Sequence, residues 1–243
     1  MARPFLSLII PAYNEAERLP LTLIDVDHHL SGSEYSYEIL VINDGSTDRT
    51  KEIVQRLAGA VKNVKVIDNP EHRGKGAAAR VGMLAAKGNW RLLFSADNAV
   101  SVVEFQKIVP DISVSPAPDI LIGARRYEGF QSGTPILVGL RVGDWALSRI
   151  IGVFFKSRFR GFTTGFQCFQ GEVAEQIFSR TKLDESPCVI EPLALGERLG
   201  YTFREVPVSY ATHQPKFHPA HYLQIIGEAI KIRWWLSRGK YKF

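Results

Sequence analysis

The chain has 243 residues, 45% hydrophobic and 23% charged, enough for one large α/β domain or two small ones with a real core. Its net charge of +5 is uneven, with basic stretches at Arg141–Arg160 and Lys231–Phe243 that suit anionic lipid or phosphate-bearing partners; nucleic acid is set aside because no helix-turn-helix, zinc or RNP pattern accompanies the charge. Cys168 and Cys188 lack metal-like spacing and form no disulfide framework, no signal-peptide pattern precedes the first strand, and the longest apolar run, Ile150–Phe155, falls far short of the ~20 residues that cross a bilayer. A cytoplasmic protein in a reducing compartment, soluble or peripheral on a membrane, is the expectation.

Leu6–Ile10 is a near-continuous Leu/Ile run, the pattern of a strand buried on both faces, and it stops at Pro11, Tyr13, Asn14 and Glu15. A helix is predicted from about Arg18 to Leu30. The second strand, Tyr37–Ile42, ends in Asn43, Asp44, Gly45 and Ser46, and a helix follows over Asp48–Leu57 with Ser46 and Thr47 as N-cap candidates. Strand Val64–Asp68, a helix over Lys75–Lys87 and strand Trp90–Phe94 complete a β-α alternation that predicts a parallel, doubly wound sheet. Ligands of such sheets sit at the carboxyl ends of the strands, so Tyr13, Glu15 and Asp44 are expected to converge on one crevice.

Between the third strand and its helix, Gly74, Gly76 and Ala79 fall in a G-x-G-x-x-A pattern, with Asp97 the ~20 positions on that a dinucleotide site requires; an NAD-binding reading stays open on this spacing. Lys75 opens the helix, where a phosphate is favoured. The second half offers strand Ile120–Gly123, an amphipathic segment Val138–Phe155, a short apolar run at Phe166–Phe169, helices near Val173–Phe178 and Ile190–Leu199, and strand Phe203–Val208. No internal repeat or low-complexity linker interrupts it. Last, Leu223, Ile226 and Ile230 stand at helical spacing ahead of Trp234 and Trp235, which lie among Arg233, Arg238, Lys240 and Lys242; aromatic rings in a basic helix suit a membrane interface.

The segments Pro11-Ala12-Tyr13-Asn14-Glu15 and Asn43-Asp44-Gly45-Ser46 together resemble the nucleotide-sugar half of family 2 glycosyltransferases of the GT-A fold. Asn69, Arg73-Gly74-Lys75-Gly76, Ala79-Arg80 and Gly82 match that family's N-x-G-K-G-x-A-x-R-x-G segment, in a form especially similar to polyprenyl-phosphate (dolichyl-phosphate) glucosyl- and mannosyltransferases. The resemblance implies a nucleotide-sugar site made by Pro11, Tyr13, Glu15, Asp44, Lys75 and Asp97. It implies Mg²⁺ or Mn²⁺ at the end of the fourth strand, where Ser95-Ala96-Asp97 stands in place of D-x-D and leaves Asp97 as the one carboxylate ligand. It also implies Arg125, at a strand end like the family's G-S-R, and Arg141 as groups for an acceptor phosphate. Glu191, on the helix before Gly200–Val208, is the candidate base if the acceptor is a hydroxyl. Gly161 and Gln167 depart from the family's D-x-x-x-G-F-[RK].

On this reading the chain is a single GT-A domain: a nucleotide-sugar half (1–98), an acceptor half (99–218) and a basic C-terminal helix and tail (219–243). It would move a hexose from a UDP- or GDP-sugar to a polyprenyl phosphate with inversion, at a membrane surface and with room for a separate membrane protein partner. A catalytically silent module that binds nucleotide, lipid or a partner enzyme is the alternative, resting on the missing aspartate together with Gly161 and Gln167.

Overall fold

The computed structural model describes residues 3–113, 115–126, 135–155, 165–185, 190–210 and 219–242. Gly161 and Cys188 lie outside the described residues, as does much of the basic stretch toward Arg160. Seven strands form one sheet: β1 (Leu6–Ala12), β2 (Tyr37–Asp44), β3 (Val64–Asn69), β4 (Trp90–Leu93), β5 (Ile120–Arg126), β6 (Gln167–Gln170) and β7 (Phe203–Ser209). Among the described residues eight helices flank it: α1 (Leu19–Leu30), α2 (Thr50–Leu57), α3 (Lys75–Ala85), α4 (Val103–Ile112), α5 (Pro135–Phe155), α6 (Gly171–Phe178), α7 (Ile190–Leu199) and α8 (Pro219–Ser237). Among the described residues no helix is long and apolar enough to cross a membrane.

The strand order is β3-β2-β1-β4-β6-β5-β7. β1 pairs in parallel with β2 and with β4, while β6 runs antiparallel between β4 and β5, and β7 closes the sheet parallel to β5. The chain thus leaves β1 toward β2 and β3, then returns to place β4 on the opposite side of β1. That reversal is a topological switch point, where the loops after the two flanking strands separate and leave a crevice. The carboxyl ends of β1 and β4, followed by Tyr13–Glu15 and Ser95–Asn98, border it.

Alternation along the central strands divides the core into two layers. Leu6, Leu8, Ile10 and Ala12 pack with Leu19, Leu23 and Val26 of α1 and Phe105 of α4 on one face. Ile9, Leu40 and Ile42 pack with Ala78, Ala79 and Met83 of α3 on the other, in a cluster that also takes in Leu147 and Ile151 of α5 and Ile225, Ala229 and Ile232 of α8.

Two local expectations gave way. The sequence reading has no helix between Asn98 and Ile120, yet α4 forms there with Pro110 inside it and no side-chain cap, held by the burial of Phe105, Ile108 and Ile112. Ser46 and Thr47 do not cap α2; the Ser46 hydroxyl and the Thr47 amide bond Asn14, and Asp48 Oδ1 instead accepts from the Thr50 amide at 2.9 Å.

α3 lies close against the sheet because Gly82 has no side chain: a Cβ there would stand 2.3 Å from Ile9 Cγ2 and 2.9 Å from Ile42 Cγ1. Overpacking of this kind costs about 1–3 kcal/mol, whereas Ala gains at most ~1 kcal/mol of helix propensity over Gly. Gly82→Ala is therefore expected to lower the urea midpoint; an equal or higher midpoint would show that α3 can lift from the sheet freely.

Candidate active site

The loops after β1 and β2 are laced together by short polar side chains. Asn14, in the left-handed region at φ 54°, accepts through Oδ1 from the amides of Thr47 (2.9 Å) and Asp48 (3.3 Å) and donates its own amide to the Ser46 hydroxyl (3.1 Å). The Glu15 amide donates to Thr50 Oγ1 at 2.9 Å and the Ala16 amide to Asp48 Oδ2 at 3.1 Å. Burial alone would raise the Asp48 carboxyl, but hydrogen bonds from Thr50 and Ala16 hold it below the usual carboxylate range.

Asp44 organises the next loop. Its carboxylate is 2% exposed as a residue and accepts from four sides: Asn69 Nδ2 (2.9 Å) at Oδ1, and the amides of Arg73 (3.1 Å) and Gly74 (2.7 Å) at Oδ2, with His72 Nδ1 2.9 Å away. The loop presses so tightly on the β2 end that a Cβ on Gly45, at φ +66°, would stand 2.4 Å from the His72 nitrogen. Asp44 is thus at the expected strand end, with both carboxylate oxygens engaged by the protein.

Around the switch point the other candidates do gather. Tyr13, partly exposed, stacks on His72 with ring centroids 3.6 Å apart and planes 18° from parallel. Sequence reasoning gave His72 no part; only its place inside the glycine segment hinted at one. Pro11 lies in β1, in register with Ile42 of β2. Glu15 is paired with Arg18 (Nε–Oε2 2.9 Å), yet burial and the nearby negative charges of Asp97 and Asp48 push its carboxyl above the ordinary range despite the arginine. Asp97, in the loop after β4, is thus near enough for its charge to act on Glu15, in the loop after the neighbouring β1. Asp97 itself is exposed, its Oδ1 accepting from the Ala99 amide at 3.1 Å.

Oxygen donors here comprise Asp97, the Ser95 hydroxyl and Glu15, whose two oxygens both face the Arg18 guanidinium at 3.1 and 2.9 Å; oxygen is the donor type of a hard cation that keeps several ligands from phosphate and water. Among the described residues no group of three or more His, Cys, Asp or Glu converges to hold a metal by itself.

The glycine segment serves chain packing. Built Cβ atoms on Gly74 and Gly76 would meet Asp184 O at 2.7 Å and Leu183 O at 2.3 Å, so both glycines admit the 183–185 strip against the start of α3. The Asp184 carbonyl accepts from the Ala77 amide (3.1 Å), occupying one of the free donors of the helix N-terminus. Its carboxylate, with Oδ2 2.8 Å from Arg73 and Oδ1 2.6 Å from Arg80, clamps the segment from outside; burial would raise it, but the two guanidiniums hold it below the usual range. In a dinucleotide fingerprint such glycines and the helix N-terminus face the pyrophosphate; here they face the backbone of residues 183–185. Lys75 keeps its ammonium without an ion-pair partner among the described residues, 3.9 Å from a Cβ built on Gly165.

On the far side, Arg125 at the end of β5 is mostly buried, its Nη1 3.4 Å from Asp144 Oδ2 of α5 and its guanidinium 4.1 Å from the Tyr210 ring centroid. Asp144 Oδ1 also accepts from the Tyr222 hydroxyl of α8 at 3.1 Å. Arg141 is exposed one turn earlier on α5. Glu191 is placed apart, at 2% exposure, where its oxygens accept from the amides of Lys182 and Leu183 (2.9–3.0 Å) and from the Tyr241 hydroxyl (2.6 Å). Asp184, Asp144 and Tyr241 escaped the sequence reading, because their partners lie tens of residues away.

The family model for glycosyl transferase family 2 matches residues 7–172. The chain belongs to this family. A dolichyl-phosphate β-glucosyltransferase of Trichomonas vaginalis is 32% identical over 217 residues, covering 86% of this chain and 66% of that protein. The Drosophila melanogaster protein of that name is 28% identical, covering 97% of this chain and 72% of its own length. The chain spans a little under two thirds of the Trichomonas protein. A Mycobacterium tuberculosis glucosyl-3-phosphoglycerate synthase, solved with Mn²⁺ and UDP-glucose, superposes with a TM-score of 0.66 at 15% identity, over 96% of this chain and 78% of that one. The likeness shows a shared GT-A fold.

Two outcomes follow from these contacts. Hydrogen bonds to charged groups contribute ~1.5–3 kcal/mol each, so Asp44→Ala is expected to cost at least about 2 kcal/mol in urea unfolding; a change under ~0.5 kcal/mol would mean the 69–74 loop holds itself. Asp48, Asp68 and Asp184 all have carboxyls depressed in the folded state, Asp68 by Lys51 and Asn43 against its burial. Groups of that sign give stability that is fully present above the unfolded pKa near ~4 and lost as pH falls below it through the lower folded-state pKa. Asp184→Asn is expected to flatten this acid limb of a stability-versus-pH series, and an unaltered limb would show that the clamp is not ionic.

Proposed function

We propose that the chain transfers a hexose, glucose foremost, from a UDP- or GDP-sugar to the phosphate of a polyprenyl (dolichyl-type) lipid with inversion. The observation that carries this is the convergence of Tyr13, Glu15 and Asp97 at the switch point between β1 and β4, in a chain whose family and relatives act on sugars. Tyr13 on its His72 partner offers an aromatic platform for the base. The Asp44-held loop would shape the ribose side through its backbone. Lys75, at the mouth near Gly165, would face the diphosphate.

The acceptor argument is chemical. A phosphate monoester is already largely dianionic near neutral pH, its second pKa being about 6, so its oxygen can attack the anomeric carbon without losing a proton first. The bond to the nucleotide diphosphate breaks as the new one forms, on the opposite face, and charge moves to the departing diphosphate. Such a reaction needs cationic positioning rather than a general base. Arg125, held in place by Asp144 and Tyr210, and Arg141 would position the acceptor phosphate. We accordingly read Glu191, enclosed by amides and Tyr241, as a structural carboxylate and prefer a phosphate to a hydroxyl acceptor. Asp97, with Ser95 beside it, would hold Mg²⁺ or Mn²⁺, which when bound screens charge on the diphosphate. A lipid acceptor would keep the chain peripheral on a membrane, on its cytoplasmic face by this reading, alone or beside a membrane protein.

The silent-module reading draws on Ser95 in place of an aspartate at the metal position, where Asp97 is exposed and accepts from the Ala99 amide, together with the departures at Gly161 and Gln167. Transfer from UDP-glucose and GDP-mannose to a short-chain polyprenyl phosphate, with and without Mn²⁺, separates the two. Metal-stimulated transfer, reduced roughly a hundredfold in Asp97→Ala, is expected from loss of a group that stabilises transition-state charge. Nucleotide binding by calorimetry without any transfer would establish the silent module. Ser95→Asp is expected to tighten Mn²⁺ in the presence of UDP; indifference to it would place the metal elsewhere.

A further inference from the structure

Helix α8 presents its two tryptophans differently. Trp235 is half-buried against the core and lies 6.1 Å, ring to ring, from Tyr241, whereas Trp234 is 46% exposed. Trp234 belongs to an outward row with Leu223 (69% exposed) and Ile230 (51%), spaced by seven and four residues with Gly227 between. The opposite face carries Ile225, Ala229 and Ile232, all buried. The same division occurs on α5. Leu147 and Ile151 enter the same core cluster, and Val142, Trp145 and Val153 point outward at 57%, 66% and 82% exposure.

The two helices pack together, joined also by the Tyr222–Asp144 hydrogen bond, and both turn their apolar rows away from one shared core. Six large apolar side chains so placed exceed the scattered exposure that a free surface carries without explanation. Charge says what covers them. Arg149, Lys231 and Arg233 are exposed on the helices, and Arg238 and Lys240 follow, lying 5.3 and 4.8 Å from the Trp234 ring centroid. The sole carboxylates on the two helices are Asp144, turned to Arg125 and Tyr222, and Glu228, which accepts from Gln224. Apolar rows edged by cations, with the acids drawn aside, match an anionic bilayer: indoles at headgroup depth and lysines and arginines toward lipid phosphates.

We propose that α5 and α8 form one two-helix face that seats on an anionic membrane. The proposal deepens the lipid-acceptor reading, since Arg125 bonds Asp144 midway along α5, and Asp144 in turn bonds Tyr222 in the first turn of α8, so that Arg125 would sit just above the lipid phosphate layer. It does not need nucleotide or acceptor to be tested.

Co-sedimentation with vesicles of phosphatidylcholine alone and with one-third phosphatidylserine tests it, using the full chain. Binding is expected on the anionic vesicles, weakening with salt but persisting in part, because indole burial is not screened. Trp145→Ala/Trp234→Ala should reduce it about tenfold or more with an unchanged melting temperature, and Arg149→Gln/Arg238→Gln/Lys240→Gln should remove the preference for anionic lipid. Trp235→Ala should instead lower the melting temperature and leave the partitioning of the folded fraction as it was. No binding by the wild type, equal binding by the Trp145/Trp234 variant, or a lipid-free dimer that this variant dissolves would overturn the proposal. Transfer to a water-soluble short-chain acceptor by a chain that ignores vesicles would overturn it alone and leave the glycosyltransferase reading standing.

Discussion

The site depends on one buried carboxylate. Asp44 ends β2 with no room for solvent and gathers the Asn69 amide, two backbone N–H groups and an imidazole around two oxygens. A buried charge without such partners would cost several kcal/mol, so the loop from 69 to 74 has a strong reason to take one shape. That shape sets His72 under Tyr13 and starts α3 at Lys75. From there the effect passes to the sheet, since Gly82 lets α3 lie on Ile9 of β1 and Ile42 of β2, and β1 is one of the two strands whose ends border the crevice.

β1, β2 and β4 were legible because they are buried on both faces and read as mainly apolar runs, with polar residues marking the ends of β1 and β2; β3, an edge strand with Lys65 and Asp68 exposed, was legible from its Val and Ile residues and its place in the β-α alternation. The helix over Ile190–Leu199 was legible to the residue. Other elements were not. α4 contains Pro110, a residue that locally argues for a break, and its stability comes from Phe105 and Ile108 meeting a sheet that a local reading does not contain. The antiparallel course of β6 depends on pairing with β4 and β5, strands that lie far from it in the chain.

Site residues show the same boundary between what neighbours and what distance decides. That Asp44 and Glu191 are carboxylates at meaningful positions is visible in the sequence. Whether their lone pairs are free depends on Arg73 and Gly74 for one and on Lys182, Leu183 and Tyr241 for the other. Ser46 and Thr47 obeyed the local rule for a helix cap and yet serve Asn14, 32 and 33 residues earlier, because the loops after β1 and β2 have only each other to satisfy their amides.

The contact of residues 183–185 with the start of α3 bears on how the molecule can be divided. Gly74 and Gly76 accept that backbone against them, the Asp184 carbonyl closes the Ala77 amide, and the Asp184 carboxylate ties Arg73 to Arg80. Cut after the fourth strand, an N-terminal fragment would keep every residue of the glycine segment and lose the lid those glycines were shaped to receive. Two arginines would face each other without their common counter-ion, and the first turn of α3 would open to water. Residues 1–98 are continuous in the chain, but the first turn of their α3 is completed by residues 183–185, which lie more than a hundred positions later.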